Sequence, residues 1–218
     1  MAEFLGALSA DELAAFRAAG RGRRFAKGEA IFHEGDDPGG VVAVVSGTVK
    51  VSLIGAGGRE VVLSFSGPGE LIGELAAVSG QPRTANVTAV DQVEAISVRA
   101  ADFRRLALEH PRIAELVFEN VARLLAAADR QRLDFATRDV TARIAGRLVE
   151  LTETSGEPEG GGVRITLPLS QDELAAWSGA SREAVARSLH LLRELGWIET
   201  RRREIKVLDV DALRGLVA

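Results

Sequence analysis

Ser170-Gln171-Asp172-Glu173-Leu174-Ala175-Ala176-Trp177-Ser178-Gly179-Ala180-Ser181-Arg182-Glu183 is the stretch on which the reading of this chain turns. Ser170 followed three residues later by Glu173 forms a capping box, so a short helix opens there and runs to about Trp177. Ser178-Gly179-Ala180 supplies a tight turn. Ser181 caps a longer helix through Leu195, which Gly196 ends. Ile198–Thr200 and Glu204–Leu208 then read as a two-stranded hairpin. Helix, glycine turn, helix and β-wing together make a winged helix-turn-helix.

With Arg182 as origin and about 100° per residue, Arg193, Ala186, His190, Glu183 and Arg187 fall in one arc of the second helix. Val185, Leu189, Leu192 and Leu195 fall in the opposite arc and can pack on the preceding helix. The polar arc carries Arg182, Glu183 and Arg187 near the N-terminal end, where a recognition helix meets base edges. Arginine can donate two hydrogen bonds to guanine O6 and N7, and glutamate can accept one from cytosine N4. The competing reading is a solvated charged face. The two caps, the turn and the wing favour DNA.

Upstream, a helix from about Arg138 to Glu153 leads into the Gly-, Glu- and Pro-rich loop Thr154–Gly162. Before it, Pro111 to Phe135 reads as one long helix, with Ile113, Val117, Val121, Leu124 or Leu125, and Ala128 at spacings of three and four. Its length of roughly 38 Å exceeds what a small domain needs, and its narrow apolar seam suits a dimer interface. The alternative is a helix packed only on its own domain. From about Arg24 to Val98 the pattern is short β-rich runs, Val41–Val45, Val49–Leu53, Val61–Phe65, Val87–Val90 and Ala95–Val98. Turn signals such as Gly57-Gly58 and Gly67-Pro68-Gly69 separate them, which indicates an antiparallel sandwich or roll. Ser9 and Glu12 form another capping box ahead of a short first helix.

Composition narrows the chemistry. The 218 residues include no cysteine, which excludes disulfides, thiolate zinc sites, cysteine-ligated iron–sulfur clusters and cysteine nucleophiles. His33, His110 and His190 lie far apart, so no metal is expected. No run approaches the ~18 apolar residues of a membrane span, and no basic-then-apolar leader opens the chain, so the cytoplasm is the expected compartment. The net charge is −4, and acidic and basic residues are nearly balanced from Thr137 to Ala218. DNA contact must therefore come from a local face. No phosphate loop or Ser/His/Asp cluster points to an enzyme.

At Asp139-Val140-Thr141-Ala142-Arg143-Ile144-Ala145 and Gly179-Ala180-Ser181-Arg182-Glu183-Ala184-Val185-Ala186-Arg187 the chain resembles the CRP/FNR family of bacterial transcription regulators. Phe25-Ala26-Lys27-Gly28-Glu29 and Ile31-Phe32-His33-Glu34-Gly35-Asp36 look like that family's opening strands. Gly73-Glu74-Leu75 and Arg83-Thr84-Ala85 look like its phosphate-binding cassette. The resemblance runs in order from about Leu13 to Val210.

It implies an α+β architecture: an N-terminal antiparallel β-roll of cyclic-nucleotide-binding type (1–110), a dimerisation helix (111–137) and a C-terminal winged helix-turn-helix (138–218). It also implies a homodimer that reads a TGTGA-like inverted repeat in double-stranded DNA and meets RNA polymerase. Ser170, Gln171, Ser181, Arg182, Glu183, Arg187, Arg201 and Arg202 are the candidate DNA contacts. Two departures stand out: the wing turn Thr200-Arg201-Arg202-Arg203-Glu204 lacks glycine, and Ala184 replaces a hydroxyl common at that position. The absence of cysteine separates the chain from the family's iron–sulfur oxygen sensors.

The residues of the cassette support an anionic ligand. Gly73 lets backbone approach a phosphate, the helical segment beginning near Glu74 offers free amides, and Arg83 can make a charge-assisted contact. Glu74 can accept from a ribose 2′-hydroxyl, while Val51, Leu63, Ser64, Leu75 and Thr84 complete the candidate pocket. The bland alternative is a plain Glu74–Arg83 ion pair. Family cAMP responders carry small hydroxyl or amide residues on the long helix, where Ala128 and Asp129 stand here. Asp129 can accept from adenine's amino group or take two bonds from guanine, and Arg83-Thr84-Ala85-Asn86 resembles cyclic-GMP-binding cassettes. The expected effector is cAMP, with cGMP, another ligand or ligand-free activity as alternatives. A ligand bridging the roll and the long helix is expected to act through Asp129 and a hinge near Phe135–Asp139. A rival of another class is a nucleotide-sensing regulatory subunit acting on a protein partner.

Overall fold

The computed structural model describes residues 4–201 and 204–217, in two compact units, Met1–Ala127 and Ala128–Ala218. The first unit opens with α1 (Phe4–Ala7) and α2 (Ala10–Ala19). Ser9 Oγ accepts from the Glu12 amide and Glu12 Oε2 accepts from the Ser9 amide, the reciprocal cap read from the sequence. Strands β1 (Gly20–Phe25), β2 (Ala30–Phe32), β3 (Gly40–Ser46), β4 (Val49–Ile54), β5 (Glu60–Ser66) and β6 (Leu71–Ile72) lead to α3 (Glu74–Ser79). Then come β7 (Asn86–Ala89), β8 (Val93–Arg99), α4 (Ala100–Glu109) and the long α5 (Pro111–Thr137), which begins in this unit and ends in the next.

The strands form two four-stranded antiparallel sheets, β1-β8-β3-β6 and β2-β7-β4-β5. Successive residues of β3 point to opposite faces, and both faces are covered. Val42 and Val44 enter one core with Val49, Val87 and Val93, while Val41 and Ala43 enter another with Phe16, Phe103, Leu106 and Ile113. Burial on both sides is why Val41–Val44 is an unbroken apolar run rather than an alternation; Val45, which ends the run, is exposed. β1 gave no such signal, because Arg21, Arg23 and Arg24 dominate it. It is a strand because it lies at the sheet edge against β8, its arginines exposed.

The second unit contains α6 (Val140–Thr154), β9 (Gly156–Glu159), β10 (Gly162–Ile165), α7 (Gln171–Ser178), α8 (Arg182–Glu194), β11 (Ile198–Arg201), β12 (Glu204–Val207) and α9 (Val210–Gly215). The stretch read as a loop is instead a hairpin. Gly160 and Gly161 have φ of 49° and 79°, the pair of positive values a two-residue turn requires. Pro158 fits because β9 is the edge of the sheet β11-β12-β10-β9, where a missing N–H is tolerated. The wing thus has four strands, not two.

Ile144, Leu148, Leu151, Leu174, Trp177, Val185, Leu189, Leu192, Ile198, Val207 and Leu213 are all buried in the second unit. Val185, Leu189 and Leu192 of the apolar arc are therefore the core face of α8, while Leu195, at its C-cap, is 48% exposed. Among the described residues no helix is long and apolar enough to cross a membrane.

Candidate functional site

Gly73 sits between β6 and α3 with φ of 83°, a left-handed conformation that disfavours other residues. A side chain there would also collide: a Cβ would lie 2.5 Å from an Arg83 guanidinium nitrogen and 2.8 Å from the Phe32 ring. That tight fit seats Arg83. Its backbone is pinned by bonds from the Gly35 amide to its carbonyl and from its own amide to Asp36 O. Its side chain, 4% exposed, donates to Gly73 O at 3.0 Å and Gly40 O at 2.7 Å. The guanidinium carbon lies 3.6 Å from the Phe32 ring centroid. Nε has no partner, and Arg83 makes no ion pair among the described residues. The plain Glu74–Arg83 ion pair, the alternative to a ligand site, is thus not formed. Burial works against the charge on Arg83, with Asp36 and Glu74 nearby favouring it.

Glu74, the first residue of α3, is 3% exposed. Burial pushes its carboxyl above the usual carboxylate range; bonds from its own amide and from Asn120, and the Arg123 charge, oppose that rise. Asn120 Nδ2 donates to Glu74 Oε1 at 3.0 Å. Asn120 went unremarked in the sequence, although a signal existed. It falls seven residues after Ile113 and three after Val117, a polar residue on the helix's own buried stripe.

The remaining expected pocket residues scatter. Val51 and Ser64 are cross-strand partners in β4 and β5, both partly buried. Register shifts at Val51/Ser52, and Leu63 is left outside the pairing and 37% exposed. Leu75 and Thr84 are exposed. Asp129 belongs to the second unit, where it accepts from Arg132 at 2.9 Å.

In the second unit, Ser170 Oγ accepts from the Glu173 amide while Glu173 accepts from the Ser170 amide, closing the capping box on α7. Ser181 Oγ accepts from the Ala184 amide at the start of α8. Gln171, Arg182, Glu183 and Arg187 are exposed. Arg182 lies 3.7 Å from Asp172, which ties the first turns of the two helices together. A bond from its own amide holds the Glu183 carboxyl below the usual range; Ser181, Arg182 and Arg187 add to that. Glu183 is therefore an ionised acceptor on the exposed face, as base reading would require. Arg193, also on that face, donates to Thr200 at 2.7 Å and joins α8 to the wing. Arg201 is exposed, and Arg202 lies outside the described residues.

The turn between α7 and α8 is built around Gly179, with φ of 60°. The Phe135 ring presses on it, and Arg143 donates to Ser178 O at 2.9 Å and Arg138 O at 2.7 Å. Thr141 and Ser188 hydroxyls share a 2.9 Å bond that joins α6 to α8. An open groove beside the β9–β10 turn, lined by Pro158, Val163, Val207 and Leu208, contains none of the expected ligand residues.

A cyclic nucleotide-binding domain is matched over residues 22–110 and a Crp-like helix-turn-helix domain over 142–216. The CRP-like cAMP-activated global transcriptional regulator of Mycobacterium tuberculosis is 32% identical over 189 residues, covering 87% of this chain and 84% of that protein. The chain belongs to the CRP/FNR family. A second relative is the Cyclic AMP receptor protein of Thermus thermophilus, 30% identical over 194 residues, covering 89% of this chain and 87% of that one. Among solved structures, the c-di-GMP responsive global regulator CLP of Xanthomonas campestris superimposes with a TM-score of 0.78 at 28% identity. That match covers 91% of this chain and 99% of that one. The CRP/FNR chain described here is thus an α+β transcription regulator with a cyclic nucleotide-binding domain and a DNA-binding helix-turn-helix.

Proposed function

We propose that this CRP/FNR protein is a homodimeric regulator whose affinity for a TGTGA-like inverted repeat is set by cAMP bound in the roll. The carrying observation is Arg83: a buried guanidinium with, among the described residues, an unpartnered Nε and no carboxylate in ion-pair contact, behind a left-handed glycine that opens α3. A buried cation with no anion in direct contact is costly, and a phosphate supplies that contact. Val51, Ser64, Glu74, Leu63, Leu75, Thr84 and Asp129 are the other proposed ligand residues. The names of the Mycobacterium and Thermus relatives support cAMP; the Xanthomonas structure, responsive to c-di-GMP, shows that another nucleotide suits a similar chain. The Asp129 carboxylate keeps cGMP as a second reading.

The domain roles follow as a roll over 1–110, a dimerisation helix over 111–137 and a DNA-binding domain over 138–218. Part of the apolar seam of α5 is used within the chain, since Ile113 and Val117 are buried in the first unit's core. Phe118, Leu125 and Leu133 remain 76%, 61% and 60% exposed, apolar surface a second protomer would cover. Arg182, Glu183 and Arg187 read bases, while Ser170, Gln171, Ser181, Arg201 and Arg202 position the backbone. Ligand shifts a pre-existing equilibrium toward dimers whose two recognition helices match successive major grooves. Contact with RNA polymerase belongs to the same reading.

Fluorescence anisotropy of a labelled TGTGA-type repeat without ligand, with cAMP, with cGMP and with c-di-GMP tests it. Tightening by cAMP alone supports the reading, tightening by another nucleotide reassigns the effector, and equal binding in all four refutes the switch.

A further inference from the structure

Two residues one turn apart on α5, Asn120 and Arg123, grip the start of the cassette. Arg123 lies 3.4 Å from Glu70 Oε1, and Glu70 Oε2 accepts from the Gly67 amide. Arg123 also donates to Asn120 Oδ1 at 2.5 Å, while Asn120 Nδ2 donates to Glu74. The amide has one useful orientation: its oxygen must face the guanidinium and its nitrogen the carboxylate. Reversing it would aim a donor at a donor and an acceptor at an acceptor. The Glu70–Arg123–Asn120–Glu74 chain therefore fixes which way the buried Glu74 carboxylate faces.

We propose that Asn120 is a positioning residue of the ligand site, its amide, oriented by Arg123, holding the Glu74 carboxylate as a hydrogen-bond acceptor for a ligand hydroxyl. The inference rests on the cyclic-nucleotide reading of the roll. Glu74 is almost wholly out of water, and burial favours its neutral form. A protonated Glu74 becomes a donor and competes with a hydroxyl instead of receiving it. Asn120 opposes that outcome by donating to the charged form. The other charges acting on Glu74 are Arg123, which favours ionisation, and Glu70, which opposes it; Arg83 in turn responds to Glu74 and Asp36.

The test compares cAMP with 2′-deoxy-cAMP by calorimetry, on full-length wild type, Asn120→Ala and the near-isosteric Asn120→Asp, at pH 6 and pH 8.5. Both probes carry the same phosphate, so titration of groups around it cancels in their affinity ratio. In wild type the preference for the 2′-hydroxyl should be similar at both pH values. In both variants it should fall about tenfold at pH 6, the difference between a charge-assisted and a neutral hydrogen bond, and recover at pH 8.5. Asn120→Asp keeps the side-chain volume, so a packing defect alone would spare it. A wild-type ratio retained at both pH values in both variants overturns the role of Asn120. Wild type that binds both probes equally removes the Glu74–hydroxyl contact and the proposal with it. Wild type that binds neither removes the cAMP reading of the roll and, with it, the proposal.

Discussion

Gly179→Ala isolates what holds the helix-turn-helix turn in shape. Two effects add. Residue 179 has φ of 60°, and alanine in the left-handed region costs roughly 1–2 kcal/mol. Its Cβ would also lie 2.8 Å from Phe135 Cε1, too close for any real contact. Phe135 is 43% exposed, so the ring can swing out, giving up part of its burial at about 1 kcal/mol. The sum is about 2–3 kcal/mol. Both tryptophans, Trp177 and Trp197, lie in the second unit, so urea denaturation followed by tryptophan fluorescence reports that unit. In a Phe135→Ala background the clash disappears and only the backbone penalty remains, so the double-mutant cycle should show coupling of about 1 kcal/mol. A Gly179→Ala cost within ~0.5 kcal/mol of zero would refute the backbone argument. An equal cost in both backgrounds would refute the ring contact.

Arg182→Ala should weaken binding to a specific site by about 1–3 kcal/mol while barely changing affinity for random duplex, read by anisotropy with both DNAs. An equal loss on both would make Arg182 a phosphate contact. Leu125→Glu, on the exposed side of α5, should shift sedimentation toward a monomer; an unchanged dimer would place the interface elsewhere. Glu74→Gln should stabilise the protein increasingly as pH rises. The folded-state carboxyl titrates above its unfolded value, so the penalty is absent below the unfolded pKa of about 4.3 and complete above the folded one. Thermal unfolding at pH 4 and pH 8 checks this, and a gain confined to pH 4 would reverse the sign.

Much of the site's framework was legible because it is local. Capping boxes at Ser9 and Ser170, the cap at Ser181 and the turn at Gly179 are set by residues within a few positions of one another. Helical phase likewise separated the buried Val185, Leu189 and Leu192 from the exposed Arg182, Glu183 and Arg187. Short-range pattern did not reveal that β9 or β1 is a strand, because neither has an apolar alternation of its own. β10 does alternate, with Val163 and Ile165 either side of Arg164, but only its pairing with the distant β12 makes it part of the wing, as pairing with the distant β8 makes β1 a strand.

The residue types of the ligand site were likewise present in the sequence, but their state was not. Sequence alone determined that a glycine, a glutamate and an arginine follow the spacing that resembles a phosphate cassette, and that a charged helical face follows a capped turn. Tertiary structure decided that Arg83 turns inward to Gly40 O, 43 residues away, rather than to Glu74. It also decided that Glu74 takes its donor from Asn120, 46 residues along the chain. Backbone sterics and capping act within a turn or two of chain and can be read in order. Burial and long-range hydrogen bonds depend on which segments meet, and only the packed fold brings those segments together.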